Sequence, residues 1–221
     1  MGKGRLTLSK IVEYPTPEKL YSELMSSAGW PYKTERERYL MRDRALVALL
    51  YLGDFRISEV LPLKKSQFSI KSDYVLVSGV QVGKRKAGKI EFREARLPLV
   101  GPRKCFTELV LKYLRLLKED ERLFPWSLRK VKIPIKGSFY RLKDGTLKQR
   151  VSVQMVGTKR AWQVVKALLP NYTQHWLRAF GYDFDYEHMQ HDILAVSDKT
   201  KADPRSLQPY LRKRYEKYPV R

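Results

Sequence analysis

The stretch TQHWLRAF, residues 173–180, places His175 and Arg178 three positions apart behind Thr173, a favoured helix N-cap. On a helix, positions i and i+3 share a face, so imidazole and guanidinium project together. A guanidinium grips phosphate with a planar fork of donors, and an imidazole beside it reaches the same oxygens. Two other stretches extend the pattern. Upstream, GDFRISEVLPL (53–63) sets Arg56 and Glu59 at the same spacing, and downstream SLQPYLRKRY (206–215) carries Tyr210, 32 residues beyond Arg178. Arginine, then histidine with arginine, then tyrosine form a set suited to phosphodiester cleavage.

The overall charge agrees with that chemistry. In 221 residues Lys and Arg outnumber Asp and Glu by 45 to 23, a net charge of +22 with pI near 10.0. Such an excess points to a polyanion partner, because neutralised phosphates release their counterions. No apolar run approaches the ~20 residues of a membrane span, and no signal peptide is visible. Double-stranded DNA is the expected partner, ahead of RNA or an anionic membrane. Cys105 is the single cysteine, which excludes an internal disulfide and a cysteine-rich zinc cluster. The expectation is therefore a cytoplasmic, DNA-associated protein. His188 and His191 are spaced i, i+3, but no further ligand cluster supports them. Neither a metal nor any other cofactor is expected.

Taken in order, residues 1–15 are a basic segment expected to be flexible. Thr16-Pro17-Glu18 opens a helix with Leu20, Leu24 and Met25 inward. RDRALVALLYL (42–52) is apolar nearly all round, as a core helix is, and Gly53 ends it, with Asp54 free to cap the next turn. From Tyr74 to Leu99 the pattern alternates, slipping phase near Gly79, and predicts an antiparallel pair around the basic turn GKRKAGK (83–89). A helix over 106–119 follows, packing Leu109, Leu114, Leu116 and Leu117. Residues 128–153 read as a basic hairpin turning at Asp144-Gly145, a DNA-contacting arm presenting Arg141, Lys143, Lys148 and Arg150. KRAWQVVKALLP (159–170) is amphipathic. After Gly181 the chain turns acidic and aromatic, so that part should pack away from phosphates or against another subunit. Asp203-Pro204 begins a last helix.

The chain resembles the catalytic domain of the tyrosine recombinase (phage-integrase) family. RDRALVALLYLGDFRISEVLPL is similar to its first box and YTQHWLRAFG to its second, H-x-x-R. The resemblance covers residues from about 16 to 215 and implies an α+β, mostly helical fold with a small antiparallel sheet. It implies a metal-independent strand transferase in which Tyr210 forms a 3′-phosphotyrosyl link while Arg56, His175 and Arg178 stabilise the phosphate. Glu59 falls on the box glutamate. The turn 83–89 matches the family's catalytic-lysine turn, with Lys86 favoured and Lys84 close behind; Lys84 and Lys89 also become DNA contacts. The family's N-terminal core-binding domain has no counterpart, leaving 16–221 as the DNA-breaking and rejoining unit, one expected to self-associate on DNA as a dimer or tetramer.

One position departs. Counting back nine residues from Tyr210 gives Lys201 where the family has histidine or tryptophan. Either Lys201 substitutes chemically or the alignment shifts, which keeps Tyr215 and Tyr218 open as nucleophiles. A site-specific recombinase of a mobile element is the leading expectation. A nicking-closing enzyme of the type IB topoisomerase kind, and a DNA-binding protein that kept the fold without the chemistry, are the alternatives.

Overall fold

The computed structural model describes residues 14–82, 91–128, 132–143, 145–200, 204, 205 and 207. Helix α1 (Pro17–Ser26) starts as its sequence dictates: the Thr16 hydroxyl accepts from the Lys19 amide at 3.3 Å, with proline in the first turn. Helix α2 (Arg36–Leu52) is the centre of the molecule. Every residue from Ala45 to Leu52 is buried, and α2 packs against α4 (Lys104–Leu114), α5 (Thr158–Leu168) and α6 (Gln174–His188). This second half of α2 is buried on all sides and shows no amphipathic stripe, which is why ALVALLYL (45–52) is apolar all round.

The middle of α2 is held by a charge network. Arg42 is 1 % exposed; its Nε donates to Asp43 at 2.9 Å and its Nη1 to the Pro125 carbonyl at 2.7 Å. The Tyr32 hydroxyl donates to the other Asp43 oxygen. This network fastens the LFPWS connector (123–127) to α2, and a buried charge is tolerable only when paired in this way.

Three antiparallel strands cover one side of the core: β1 (Phe68–Ile70), β2 (Tyr74–Gln81) and β3 (Phe92–Pro98), in that order. Strand β1 is too short to show a period in sequence. The phase slip near Gly79 is a register shift between Val77 and Val80, and Gly79 adopts φ +63°, a conformation glycine reaches without strain. The turn 83–89, with Lys84, Lys86 and Lys89, lies outside the described residues.

Helix α4 is shorter than its sequence predicts: it ends at Leu114, and Leu116 is exposed while Leu117 is buried. Strands β4 (Lys132–Arg141) and β5 (Leu147–Val153) form the expected hairpin, with Gly145 at φ +84° in its turn. Both faces of this ribbon meet solvent, and its packing is almost wholly strand on strand.

Helix α6 does not break at Gly181. The glycine is there because nothing larger fits: a Cβ would lie 1.9 Å from Asp54 Oδ1 and 2.6 Å from the Tyr51 carbonyl oxygen. Beyond it, Tyr182, Asp183, Asp185 and Tyr186 are buried, and the last two turns lead to α7 (Ile193–Thr200). The acidic stretch thus faces inward, onto cations of the same chain. Positions 204, 205 and 207 are helical, as Asp203-Pro204 predicts. Replacing Gly181 by alanine drives a methyl into rigid backbone, and should lower unfolding stability by about 2–3 kcal/mol in denaturant titrations.

Candidate active site

The site is built on the reversal between α2 and the short helix α3 (Ile57–Val60). Arg56 is the N-cap of α3 in extended conformation, and its amide donates to Glu59 Oε2 at 3.1 Å. Its Nη1 donates to Glu59 Oε1 at 2.8 Å. The ion pair that the i, i+3 spacing allows is therefore present. It uses one of five guanidinium donors, and the Arg56 side chain remains 27 % exposed. Asp54 does not cap α3; it is wholly buried at φ +51°, a region that aspartate tolerates better than most residues.

Glu59 is 1 % exposed and meets a second arginine. Arg93 on β3 donates through Nη2 to Glu59 Oε2 at 3.1 Å and to the Gly53 carbonyl at 3.0 Å. Its guanidinium lies over the Phe55 ring, 4.6 Å from the centroid. One carboxylate thus holds two cations, satisfying charges that burial alone would not permit.

Arg178 arrives from α6. The Thr173 hydroxyl accepts from the Trp176 amide at 3.4 Å, which fixes where the helix begins and so which way Arg178 points. Its Nε donates to the Asp54 carbonyl at 2.8 Å, and its guanidinium lies over the Tyr182 ring. Among the described residues neither Nη group of Arg178 has a hydrogen-bond partner, so the fork is anchored at its stem and open at its tips. Burial, with the nearby Arg56 charge next among the lowering influences, brings the Arg178 pKa below its ordinary value.

His175 sits one turn earlier with an exposed edge. Partial desolvation of the ring, and then the Arg178 charge, hold its pKa below the usual histidine value. The Arg178 charge therefore acts on His175, one turn away on α6, and is itself acted on by Arg56 from the distant α2–α3 reversal. Tyr210, Lys84, Lys86 and Lys201 lie outside the described residues. His188 and His191 turn to local partners instead, the Phe184 carbonyl and Glu187.

Neither a protein-family model nor a curated protein matches the chain. Solved structures do. The XerH site-specific recombinase bound to difH in a pre-cleavage complex superposes with a TM-score of 0.57 at 16% identity, covering 94% of this chain and 52% of its own. This is the tyrosine recombinase catalytic-domain fold. The XerH post-cleavage complex with palindromic difH aligns at TM-score 0.56 and 16% identity, over 92% of this chain and 51% of its own. The Tn1549 transposon integrase in complex with circular intermediate DNA aligns at 0.50 and 14%, over 90% and 60%. The chain spans about half the length of the XerH chains it matches. At such identity the tyrosine recombinase likeness is one of fold.

Sequence reasoning misses Arg93, Asp54 and Asp185. Arg93 is detectable: it alternates in phase with Ala95 and Leu97 on the buried face of β3. A charged residue in an inward register position signals a buried pair. Arg93→Met removes one of the two cations on buried Glu59 and the side-chain donor to the Gly53 carbonyl, and should cost about 3 kcal/mol of stability by chemical denaturation. A proton NMR titration should find the His175 midpoint below ~6.5. Arg178→Met should move it upward without restoring it fully, because the burial remains.

Proposed function

We propose that residues 16–221 form a DNA-breaking and rejoining unit, a tyrosine recombinase that exchanges strands through a 3′-phosphotyrosyl intermediate. The observation that carries this is the open fork of Arg178, steadied at Nε, beside Arg56 and His175 in one site. Preorganised donors aimed at nonbridging oxygens stabilise the charge that develops in phosphoryl transfer. Tyr210 supplies the nucleophile: its phenolic oxygen forms a bond to phosphorus as the bond from phosphorus to the 5′ oxygen breaks. The tyrosine proton leaves to base or solvent, and Lys86, with Lys84 as the alternative, protonates the departing 5′ oxygen. No step draws on a metal or cofactor. Glu59 holds Arg56 in place.

Double-stranded DNA is the proposed substrate. The likeness to recombinases solved with DNA supports this, as does the +22 charge. The β4–β5 ribbon supplies Arg141, Lys143, Lys148 and Arg150, all exposed, as an arm along the duplex, and Lys84 and Lys89 add contacts from the β2–β3 turn. Self-association on DNA, as a dimer or tetramer, completes the proposal, with a mobile element as its setting. Lys201, at the position where the family has histidine or tryptophan, favours one second reading: a DNA-binding protein of the same fold without cleavage.

A nicked duplex that releases a short 5′-hydroxyl fragment traps the covalent complex and separates the two. The enzyme accumulates adduct; the binder shifts the duplex in a gel and accumulates none. Tyr210→Phe should abolish adduct while retaining binding. Arg56→Lys and Arg178→Lys, which keep charge but lose the fork, should slow adduct formation about 100-fold with affinity little changed. Equal loss of affinity and cleavage would reduce the arginines to ordinary backbone contacts. Duplex affinity should also fall steeply with salt, and removing two arm cations should flatten the slope by about two.

A further inference from the structure

Asp54 is buried completely, and neither of its carboxyl oxygens receives a donor from a described residue. Its Oδ1 lies against Gly181 on α6, where a Cβ would sit only 1.9 Å away, and one helical turn further along α6 is another buried carboxyl, that of Asp185, whose charge acts on it. Asp185 is already furnished with cations: Arg103 Nη2 donates to its Oδ1 at 2.8 Å, and Lys199 on α7 donates to its Oδ2. Two neighbouring buried carboxyls cannot both carry charge cheaply, so one of them takes up a proton. The cations decide which. Burial works against an Asp185 charge, but Arg103 and Lys199 outweigh it and hold this carboxyl below the usual range. Burial and then the Asp185 charge push the Asp54 carboxyl well above it, against the weaker pull of Lys199 and Arg103.

The same residue holds the arginines from its other end. The Asp54 carbonyl accepts from Arg178 Nε at 2.8 Å and lies 3.4 Å from Arg93 Nη2. Side chain and main chain thus point to different tasks within one strained residue. We infer that Asp54 is a positioning residue for Arg178, its carboxyl hydrogen-bonding to Asp185 and so tying the phosphate-binding arginine to Arg103 and α7. Asp54 touches no substrate. It rotates the 53–56 reversal into the one orientation in which its carbonyl meets Nε, and the bond to Asp185 keeps it there. Helix α7 leads in sequence toward Tyr210, so the acid pair lies between the arginine and the segment assigned the nucleophile. The catalytic part of this inference rests on the function proposed above.

Several charged or titratable groups face Asp54. Tyr51 comes from α2, Tyr182, Asp185 and Arg178 from α6, Lys199 from α7, and Arg103 and Arg93 from the segments before α4 and along β3. The folded pKa of Asp54 lies above its unfolded value. Its contribution to stability is therefore complete below ~3.9 and is lost as pH rises through the folded value. Asparagine in place of Asp54 cannot titrate, yet its amide donates to Asp185 as the acid does and it tolerates the left-handed φ. Glycine relieves the φ and removes the donor, which separates backbone strain from the hydrogen bond.

The test uses Asp54→Asn and Asp54→Gly in the full chain, free of DNA. The Arg178 Nε–H resonance, identified by its loss in Arg178→Lys, should exchange slowly with solvent in wild type and in D54N, and about tenfold faster or more in D54G. An infrared difference spectrum, wild type minus D54N at about pH 7, should show the C=O stretch of a protonated carboxylic acid. Unfolding stability of D54N relative to wild type should climb as pH rises. Unchanged Nε–H protection in D54G, no acid band, or parallel pH profiles would each overturn the inference. On the trapping duplex, D54G should lose about tenfold or more in adduct rate, and D54N should recover part of it with affinity unchanged. Absence of adduct from wild type itself counts against the recombinase proposal, while the exchange, infrared and stability measurements still decide the role of Asp54.

Discussion

The carbonyls of Gly53 and Asp54, at the end of a helix buried on every side, are the fixed point from which the site is hung. A helix terminus leaves carbonyls without intrahelical partners, and a buried one must find donors elsewhere. Here the donors are arginines: Arg93 reaches the Gly53 carbonyl and Arg178 that of Asp54. The requirement runs in both directions. A carbonyl without a donor is costly in the core, and so is a guanidinium without an acceptor, so each fixes the other. Strand, helix end and α6 converge because their unsatisfied groups are complementary.

Rigidity at the stem and freedom at the tip are divided within each side chain. Arg178 commits Nε to the scaffold and leaves its Nη groups without a partner among the described residues, while Arg56 gives Nη1 to Glu59 and remains partly exposed. An arginine with no internal bond would lose the rotamer entropy of a long side chain at the moment of binding. An arginine with every donor satisfied would have nothing to offer. Division of the fork is what a preorganised oxyanion-binding group requires.

Much of this is legible in sequence, and the boundary follows from chemistry. Local signals suffice where one residue decides the outcome: Thr16 and Thr173 as N-caps, Gly145 in the hairpin turn, the phase slip at Gly79. The His175–Arg178 and Arg56–Glu59 spacings are visible for the same reason, since i, i+3 geometry is local. The approach of Asp54 to α6 is not, because it joins residues with no period or motif in common, and in sequence Asp54 looks like an ordinary helix cap. Leu116 is misplaced by its pattern since helix α4 ends a turn before its leucine stripe does. Nothing local explains Gly181 inside a helix, and only the nearness of Tyr51 and Asp54 reveals it as the one residue that fits.

The encirclement of α2 also governs how the chain comes together. Its partners α4, α5 and α6 all follow it, and α6 ends at His188, so α2 cannot reach its final surroundings until the chain has emerged from the ribosome through α6. Until then LVALLYL (46–52) is a greasy segment without cover, in a chain whose net charge of +22 works against compaction. Closure over such long sequence separations is intrinsically slow and leaves partly folded chains prone to stick to one another. The arrangement that gives the site its firm floor makes nascent synthesis its vulnerable stage, the point at which chaperones matter most.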